Sequence, residues 1–216
     1  MAAQFHDEAS GKPKALKPDH PPAVDFSWDR PRNPRMLSSL RSEAVVGALS
    51  EALAHLGFTI SEQAAGRAVD LYWGDSPPSA PARCWLKPGP VEDVVANDVL
   101  ARGFSLDDVR FYCLARHYRK PLAVDAAELE SRRDELRRLR ELGRRLASLS
   151  ASAPNASGLA GYKKRFRDAL ARDLDLPEAL ASLWDALRPG ALSPGSQLGM
   201  LREADPVFGL AFIDEG

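Results

Sequence analysis

The sequence predicts a mostly α-helical protein in which a partial α/β region is followed by an antiparallel helical bundle. Three observations predict this class. A run of apolar residues at helical spacing precedes short strand-like runs, which is typical of an α/β unit with a parallel sheet. After residue 122, leucines recur along several helical segments with short connections. The composition, 44% hydrophobic and 27% charged, is that of a globular chain that buries a core.

We divide the chain into three parts. Residues 1–35 hold six of the seventeen prolines and show almost no apolar periodicity, so they are predicted to form an extended, Pro-rich arm without regular structure. We expect this arm to pack on the folded body through Phe26 and Trp28, because large aromatic side chains favour burial. Residues 36–122 form the α/β region and residues 123–216 form the helical bundle.

The α/β region begins with a helix over residues 37–56, where leucine and valine recur at helical spacing and Gly57 follows as a helix end. Short runs of β-branched and aromatic residues, separated by turn residues, predict the elements that follow this helix. They are strands over 58–60 and 68–73 with a turn around Ala65-Gly66, a strand over 83–86, and a short helix over 91–103.

The stretch from Ser105 to Leu122 organises the rest of the chain. Ser105 is a helix cap, and Asp107 and Asp108 lie in the first turn, where the helix macrodipole favours negative charge. Apolar residues then supply one buried face, and Pro121 closes a polar cluster over residues 116–120. The pattern therefore predicts a buried helix that delivers a cationic and aromatic tip to a fixed place.

The bundle is predicted from leucine spacing and from turn residues. A first helix carries Leu129, Leu136, Leu139, Leu142 and Leu146 on one stripe, and a loop follows over Ser148 to Gly158. The remaining helices are predicted over residues 162–174, from the first-turn proline at 177 to 187, and over 197–204.

Charge and cysteine content narrow the classes of protein. The net charge is −1, so any nucleic-acid role depends on local patches, and no DNA partner is expected. Cys84 and Cys113 are the two cysteines and have no CxxC spacing, which supports neither a disulfide framework nor a cysteine-rich zinc site. No apolar run approaches transmembrane length, and the N-terminus lacks signal-peptide features, so we expect a cytoplasmic protein with no membrane partner.

Several motifs, in a shared order, resemble the cysteinyl-tRNA synthetase family. VRFYCLARHYRKPL, residues 109–122, is similar to the segment that leaves that family's catalytic domain for its helical bundle. FRDAL and DLDLPEAL, residues 166–170 and 173–180, resemble a bundle signature, and Trp85 with Gly89, DVLAR at 98–102 and SWDRP at 27–31 resemble shorter pieces. The resemblance implies a remnant of a class I synthetase nucleotide-binding fold, and tRNA as the partner.

The sequence departs from that family at its catalytic motifs. No HIGH-type motif occurs, and the stretch from Gly89 to Asp98 is too short for the KMSKS loop. The zinc ligands that the resemblance implies are replaced: Leu40 stands where a cysteine is expected, Gln63 lies near a histidine region, and Gly74-Asp75-Ser76 replaces HHENE. We therefore expect a degenerate relative that uses no metal or cofactor and does not aminoacylate tRNA unaided.

Candidate RNA contacts are basic residues with a neighbouring tyrosine that would stack on a base. The structural alternative is a hinge in which Tyr118 is packed and the arginines pair with bundle acids. On the first bundle helix the alternative is a solvated face with i,i+4 ion pairs. The predicted RNA-binding set is Arg116, His117, Tyr118, Arg119, Lys120, Arg133, Arg137, Arg140, Arg144, Lys163 and Lys164.

Tyr72, Trp73 and Trp85 lie near the carboxyl ends of the predicted strands, where α/β folds bind ligands. They line a remnant pocket or, in the alternative interpretation, fill space that a lost half-domain leaves. Asp173 and Asp175 have the spacing of paired carboxylates, but helix capping is the simpler interpretation.

The leading functional hypothesis is non-catalytic binding of tRNA or another structured RNA. One alternative is a protein-interaction or homodimerisation module that uses an exposed edge of the sheet. Another is a cysteine- and ATP-dependent ligase relative that retains ligand binding.

Overall fold

The computed structural model describes residues 3–31, 33–63, 66–92, 94–149 and 156–213. Most secondary structure in these ranges is helical, as the sequence predicts. The strands are β1 Gln4–Asp7, β2 Lys12–Ala15, β3 Ala23–Trp28, β4 Thr59–Glu62, β5 Val69–Trp73 and β6 Ala82–Leu86. The helices are α1 Leu37–His55, α2 Ala96–Leu100, α3 Leu106–Leu114, α4 Ala126–Leu149, α5 Ala156–Ala171, α6 Leu176–Leu187 and α7 Pro194–Phe208.

A four-stranded parallel sheet lies at the centre of the α/β region. Its strand order is β4-β3-β5-β6, and each neighbouring pair is parallel. From β3 the chain runs through α1 to β4 on one side, and β5 and β6 then add to the other side of β3. The order of the strands therefore reverses between β3 and β5, and a crevice at such a reversal is where open α/β sheets bind ligands.

The prediction of an arm without regular structure over residues 1–35 is wrong. These residues contain three strands, and β3 lies inside the sheet between β4 and β5. Phe26 is 2% exposed and the half-buried Trp28 packs against the same core, so the predicted packing of both aromatics on the folded body is confirmed. The signal was present in the sequence, because Val24, Phe26 and Trp28 alternate with polar residues, as in a strand.

The hairpin of β1 and β2 covers the outer edge of β6. The backbone amide of Glu8 donates to the carbonyl oxygen of Trp85 at 2.9 Å, and the amide of Trp85 donates to the Asp7 carboxylate, also at 2.9 Å. The Lys14 ammonium donates to the Arg83 carbonyl at 2.9 Å. Side-chain and backbone groups of the hairpin thus satisfy the β6 edge, which a further strand would otherwise pair.

The two faces of the sheet differ in polarity. Apolar residues of β3, β5 and β6, including Phe26 and Leu71, share one core with α1. The opposite face carries Asp25 and Asp70, of which Asp70 is 2% exposed and accepts the backbone amide of Asp25 at 3.0 Å. Because strand residues alternate between faces, the same short strands build both the core and a polar surface.

Helix α3 begins as the sequence predicts. Ser105 accepts from the amide of Asp108, and Asp108 accepts from the amide of Ser105, which completes a reciprocal capping box. Helix α1 is followed by Gly57 with φ of 87°, a left-handed conformation that favours glycine. Gly66 in the predicted turn has the same φ, whereas Ala65 lies outside the described residues.

Helices α4 to α7 pack around a shared core that includes Leu139, Phe166 and Phe208. Gly143 of α4 lies so close to the chain end that an added Cβ would fall 1.9 Å from the carbonyl oxygen of Phe212. Asp175 caps α6 by accepting the amide of Glu178, as predicted. Residues 150–155 of the predicted loop are outside the described ranges. In the described chain, no helix combines the length and apolarity that a membrane span requires.

Candidate functional site

The predicted cationic tip, Arg116 to Lys120, connects α3 to the bundle, and we call it the junction segment. Tyr118 is 1% exposed, packs on Trp73 with ring centroids 5.3 Å apart, and donates to Asp173 at 2.6 Å. Its predicted stacking on an RNA base is therefore wrong, because neither face of the ring reaches solvent. Arg116 pairs with Glu128 of α4 at 2.7 Å. Tyr118 and Arg116 therefore fit the alternative interpretation, a hinge in which the tyrosine is packed and the arginine pairs with an acid of the bundle.

The rest of the junction segment is also held by the fold, apart from one exposed lysine. Arg119 lies 3.8 Å from both Glu8 and Asp173, and His117 stacks on Tyr118 and lies 3.8 Å from Asp173. Burial lowers the pKa of His117, and the carboxylate of Asp173 opposes that shift. Lys120 is exposed.

Arg41 of α1 clamps the junction segment from the other side. Its guanidinium is 1% exposed and donates to the carbonyls of Gly89 at 3.3 Å, His117 at 3.1 Å and Lys120 at 2.8 Å. No carboxylate pairs with it among the described residues, and burial lowers its pKa. This buried cation donates to three backbone carbonyls and also feels the negative charge of Asp75, and it fixes the geometry of these loops.

The sequence favours helix capping for Asp173, and this interpretation is wrong, because its carboxylate instead binds two distant segments. Asp173 joins β1 to the junction segment, because its carboxylate accepts from the amide of His6 at 2.8 Å and from Tyr118. Asp173 and Leu174 have φ of 54° and 51°, a left-handed conformation that is uncommon outside glycine. Aspartate tolerates this conformation better than most residues. Their partners lie far away in sequence, so no local signal identified them.

Some of the predicted arginines on α4 are anchored to the body of the protein. Arg133 lies over the ring of Phe104, with its guanidinium carbon 4.8 Å from the ring centroid. Arg140 pairs with Asp107 at 2.5 Å and donates to the carbonyl of Leu210 at 2.7 Å. Both side chains are half-buried and tie α4 to neighbouring segments.

The outer side of α4 carries four exposed arginines, which we call the α4 arginine face: Arg137, Arg138, Arg144 and Arg145. Arg137 pairs with Asp134 at 3.3 Å and Arg144 with Glu141 at 2.7 Å, each within the helix. All four of these paired side chains are more than half exposed, and such pairs contribute little free energy. The guanidinium groups are therefore available to an external anion.

The two predicted lysines of α5 have different surroundings. Lys163 pairs at 2.8 Å with Glu203, a carboxylate that is 8% exposed and is also bound by Arg167. Lys164 is 70% exposed and pairs with Asp168 one helical turn away. Lys163 therefore has a structural partner, and Lys164 keeps a solvated charge.

A cleft of about 1090 Å³ opens at the carboxyl ends of β3, β4 and β5, where the strand order reverses. Tyr72 lines it, as predicted for the pocket, but Trp73 and Trp85 do not. Trp73 is 1% exposed and packs on Tyr118, and Trp85 donates to the carbonyl of Gly74 at 2.8 Å. Their place in a remnant pocket is therefore wrong, because both side chains are used in packing.

Carboxylates and hydroxyls dominate the cleft. Tyr72 is hydrogen-bonded to Asp29, and burial together with this carboxylate raises the pKa of Tyr72. The Asp29 carboxylate and the Tyr72 hydroxyl both lie close to Gly74, so that an added Cβ would fall 2.6 Å from each and one of these side chains would have to shift. Arg30 pairs with Glu62 at 2.7 Å across the rim. The serines that line the cleft are Ser27, Ser38, Ser39, Ser42, Ser76 and Ser79.

The cysteines and the cleft do not offer a zinc site. Cys84 and Cys113 are buried, and burial raises the pKa of each thiol to about 12. The cleft is lined by neither cysteine nor histidine. Over the described ranges, no group of three or more His, Cys, Asp or Glu side chains is arranged to hold a metal ion. The donor set does not fit the zinc that related enzymes would imply.

Comparison with solved structures first gives a fold that is similar to that of this chain. The chain is similar in fold to the LeuRS in a ternary complex from Agrobacterium radiobacter K84, the agnB2 LeuRS-tRNA-LeuAMS complex, with a TM-score of 0.52. The match covers 67% of this chain and 26% of that chain at 16% sequence identity, so it shows the fold alone. The parallel sheet with its helices is thus an α/β plus helical fold similar to part of that LeuRS chain.

Sequence comparison then gives the nearer relationship. The chain is 37% identical over 97 residues to the cysteine–tRNA ligase of Rubrobacter xylanophilus, and 35% identical over 110 residues to that of Thioalkalivibrio sulfidiphilus. A third relative, from Borrelia turicatae, is 31% identical over 134 residues. The resemblance to cysteinyl-tRNA synthetases is therefore confirmed, and the chain is a synthetase-related protein.

The relationship is partial in extent. The matches cover 43%, 51% and 57% of this chain but only 21%, 21% and 28% of the three ligases. No protein-family model matches the chain. The relatives' full activity therefore does not follow from the similarity.

Proposed function

We propose that this synthetase-related protein binds tRNA or another structured RNA without catalysing aminoacylation. The observation that carries the proposal is the α4 arginine face, four exposed guanidinium groups on one helix. Arg137 and Arg144 are seven residues apart, which places them about 10 Å apart along the helix axis. An extended row of this kind suits the phosphates of a folded nucleic acid.

The rest of the predicted RNA-binding set is sorted by exposure. Lys120 and Lys164 are exposed and stay in the proposal as flanking contacts. Arg116, Arg119 and Lys163 have acidic partners elsewhere in the fold, and we assign them structural roles. His117, Tyr118, Arg133 and Arg140 receive the same assignment because they pack against other elements.

Two observations support the non-catalytic part of the proposal. The sequence contains neither a HIGH-type nor a KMSKS-type motif, which supply the groups that neutralise ATP phosphates in the related ligases. The cleft at the ends of the strands is lined by Asp29, Glu62 and Asp75 against a single arginine, Arg30. This charge balance is unfavourable to a triphosphate.

The test is binding of purified tRNA by fluorescence anisotropy at about 50 and 200 mM salt. If about four phosphates are neutralised, affinity should fall roughly 10²-fold between the two salt concentrations, because counterions are released on binding. The double variant Arg137→Glu with Arg144→Glu should lose at least tenfold in affinity and show a shallower salt dependence.

A matched control separates a local site from a general charge effect. Arg172 and Arg188 are also exposed, and each pairs with an acid three residues away, Asp175 and Asp185. Changing both to glutamate alters the net charge as much as the Arg137→Glu with Arg144→Glu variant does, but at positions outside α4. This control variant should bind tRNA with an affinity within about twofold of the wild type. Equal losses in the two double variants, or no tRNA binding at low salt, would contradict the proposal.

A further inference from the structure

We infer that the α4 arginine face recognises double-stranded RNA, and that its four guanidinium groups contact the phosphates of both strands of a stem. This inference rests on the proposed RNA binding and names the structural class of the RNA. A single-stranded loop or tail is then not what this helix binds. Three features carry the inference: the positions of the arginines along α4, their ion pairing, and the covering of every aromatic ring.

The four arginines form two parallel rows along α4. An α-helix turns by about 100° and rises by about 1.5 Å per residue, so Arg137 and Arg144, the first row, lie almost in line along the helix. Arg138 and Arg145, the second row, lie about 100° further round the helix and have the same spacing. A single strand presents one line of phosphates, whereas a stem presents two lines that flank a groove. Two rows of arginine therefore match the two backbones of a duplex.

Both rows are able to bind phosphates. Arg138 and Arg145 are exposed and form no ion pair with any residue that the structure describes. In the first row, the partner of Arg144 is Glu141, which lies between the rows, and each side chain of this pair is more than 60% exposed. Exposed pairs of this kind contribute little free energy, so a phosphate can replace the carboxylate. The second row is therefore free, and the first is readily released.

The described chain presents no exposed aromatic ring on which an unpaired base could stack. All eight phenylalanines, four tyrosines and four tryptophans lie in the described ranges, and each is buried or half-buried. A cation lies over three of the half-buried rings, those of Trp28, Trp85 and Tyr162. The other two, Phe58 and Trp184, pack against the core.

This lack of a stacking platform decides between the two forms of RNA. Proteins that bind single-stranded RNA stack its splayed bases on exposed aromatic side chains. Double-stranded RNA is recognised by its shape and by contacts to its phosphates and sugar hydroxyls, for which aromatic rings are not needed. A surface of arginines without an exposed ring is therefore suited to a stem.

The experiment compares three RNAs with the full chain by fluorescence anisotropy at about 50 mM salt. They are tRNA, a blunt RNA duplex of about 16 base pairs, and one strand of that duplex with a sequence that forms no hairpin. The duplex should bind with an affinity within about threefold of that of tRNA, and the single strand at least tenfold more weakly than the duplex. A single strand that binds as tightly as the duplex would overturn the inference.

Charge reversal of each row tests whether both backbones are contacted. Arg137→Glu with Arg144→Glu, and separately Arg138→Glu with Arg145→Glu, should each weaken duplex binding at least tenfold. The control variant outside α4 should bind the duplex within about twofold of the wild type, and melting temperatures verify that all variants are folded. A loss confined to one row would mean that only one line of phosphates is bound, which would contradict a duplex.

The same measurements separate this inference from the proposed function. If tRNA binds and reversal of the first row weakens it, but the duplex does not bind, then RNA binding stands and the double-stranded class is wrong. If neither tRNA nor the duplex binds, the proposed function fails and the inference fails with it.

Discussion

The junction segment and the α4 arginine face contain the same kinds of residue, yet the fold uses them in opposite ways. In the junction segment, Arg116 pairs with half-buried Glu128, Tyr118 is buried, and Arg41 binds the backbone carbonyls. On the α4 arginine face the pairs are exposed and lie within one helix. A cationic cluster is available to a partner only where its charges are not already satisfied by buried groups.

The comparison also separates stability from binding. Charges in and around the junction segment hold loops together, so their removal should lower the free energy of unfolding and affect ligands only indirectly. Charges on the α4 arginine face contribute little to folding, so their removal should affect partners and leave the fold intact. Four predictions test this division, and the first carries the largest expected effect.

The change expected to destabilise the protein most is Arg41→Met. It removes the Arg41 donor from the carbonyls of Gly89, His117 and Lys120, and although the His117 carbonyl keeps the Lys120 amide as a donor, each carbonyl left unsatisfied costs free energy. We expect the free energy of unfolding to fall by about 4 kcal/mol in urea titrations. Arg102→Met, at an exposed arginine beyond α2, is the control and should change it by under about 0.5 kcal/mol. A loss below about 1 kcal/mol for Arg41→Met would show that the clamp is dispensable.

Asp173→Ala should come next, with a loss of about 3 kcal/mol. The substitution removes the acceptor for His6 and Tyr118 and places alanine at a φ of 54°. Asp173→Asn tolerates that backbone conformation and keeps an acceptor, so thermal melts should show less than half of the loss. If Asp173→Ala and Asp173→Asn lost equal stability, the effect would come from the negative charge of Asp173 alone.

Asp7 makes the hairpin's attachment dependent on pH. Burial alone would raise the pKa of Asp7, but hydrogen bonds from Lys14, Ser10 and Trp85 lower it to about 2. Because the folded pKa lies below the unfolded value of about 4, this contribution is fully present above pH 4 and is lost as pH falls towards 2. Asp7→Asn should therefore cost about 2 kcal/mol at pH 7 in denaturant titrations. The gap from wild type should narrow between about pH 4 and 2, and a pH-independent gap would contradict the assignment.

The smallest effect on folding is expected at the α4 arginine face. Arg137→Gln with Arg144→Gln removes two exposed i,i+3 pairs, and the free energy of unfolding should change by less than about 1 kcal/mol. Differential scanning fluorimetry checks this prediction, and the same measurement on Arg137→Glu with Arg144→Glu shows whether the variant of the tRNA assay is folded. A large loss of stability would mean that the α4 arginine face is structural, like the junction segment.

Local signals in the sequence predicted the elements that depend on them. The helix caps at Ser105 and Asp175 each accept from an amide three positions along the chain, and both formed as predicted. The strand β3 was missed because surrounding prolines obscured a six-residue alternating run. The high proline content of residues 1–35 favoured an irregular arm, and the short alternating pattern of β3 within it was given too little weight.

The candidate sites were less predictable because their contacts are long-range. Tyr118 is buried by Trp73 and Asp173, which lie 45 and 55 residues away in the chain, so its neighbours in the sequence gave no sign of burial. The exposed side of α4 follows from helical periodicity, and Arg137 and Arg144 were therefore placed on a solvent face. The cleft required the order of the strands, which the hydrophobic pattern alone does not specify.

The hairpin that covers β6 also limits how copies of this chain would associate through the sheet. The free side of β2 presents Lys12, Pro13 and Lys14, and neither charged side chains nor a proline, which lacks an amide proton, favour a further strand. Within the described part of the sheet, the uncovered edge is then β4, a strand of four residues. Pairing of one β4 with another is two-fold and closed, so it stops at two copies and leaves no edge from which a fibre can grow.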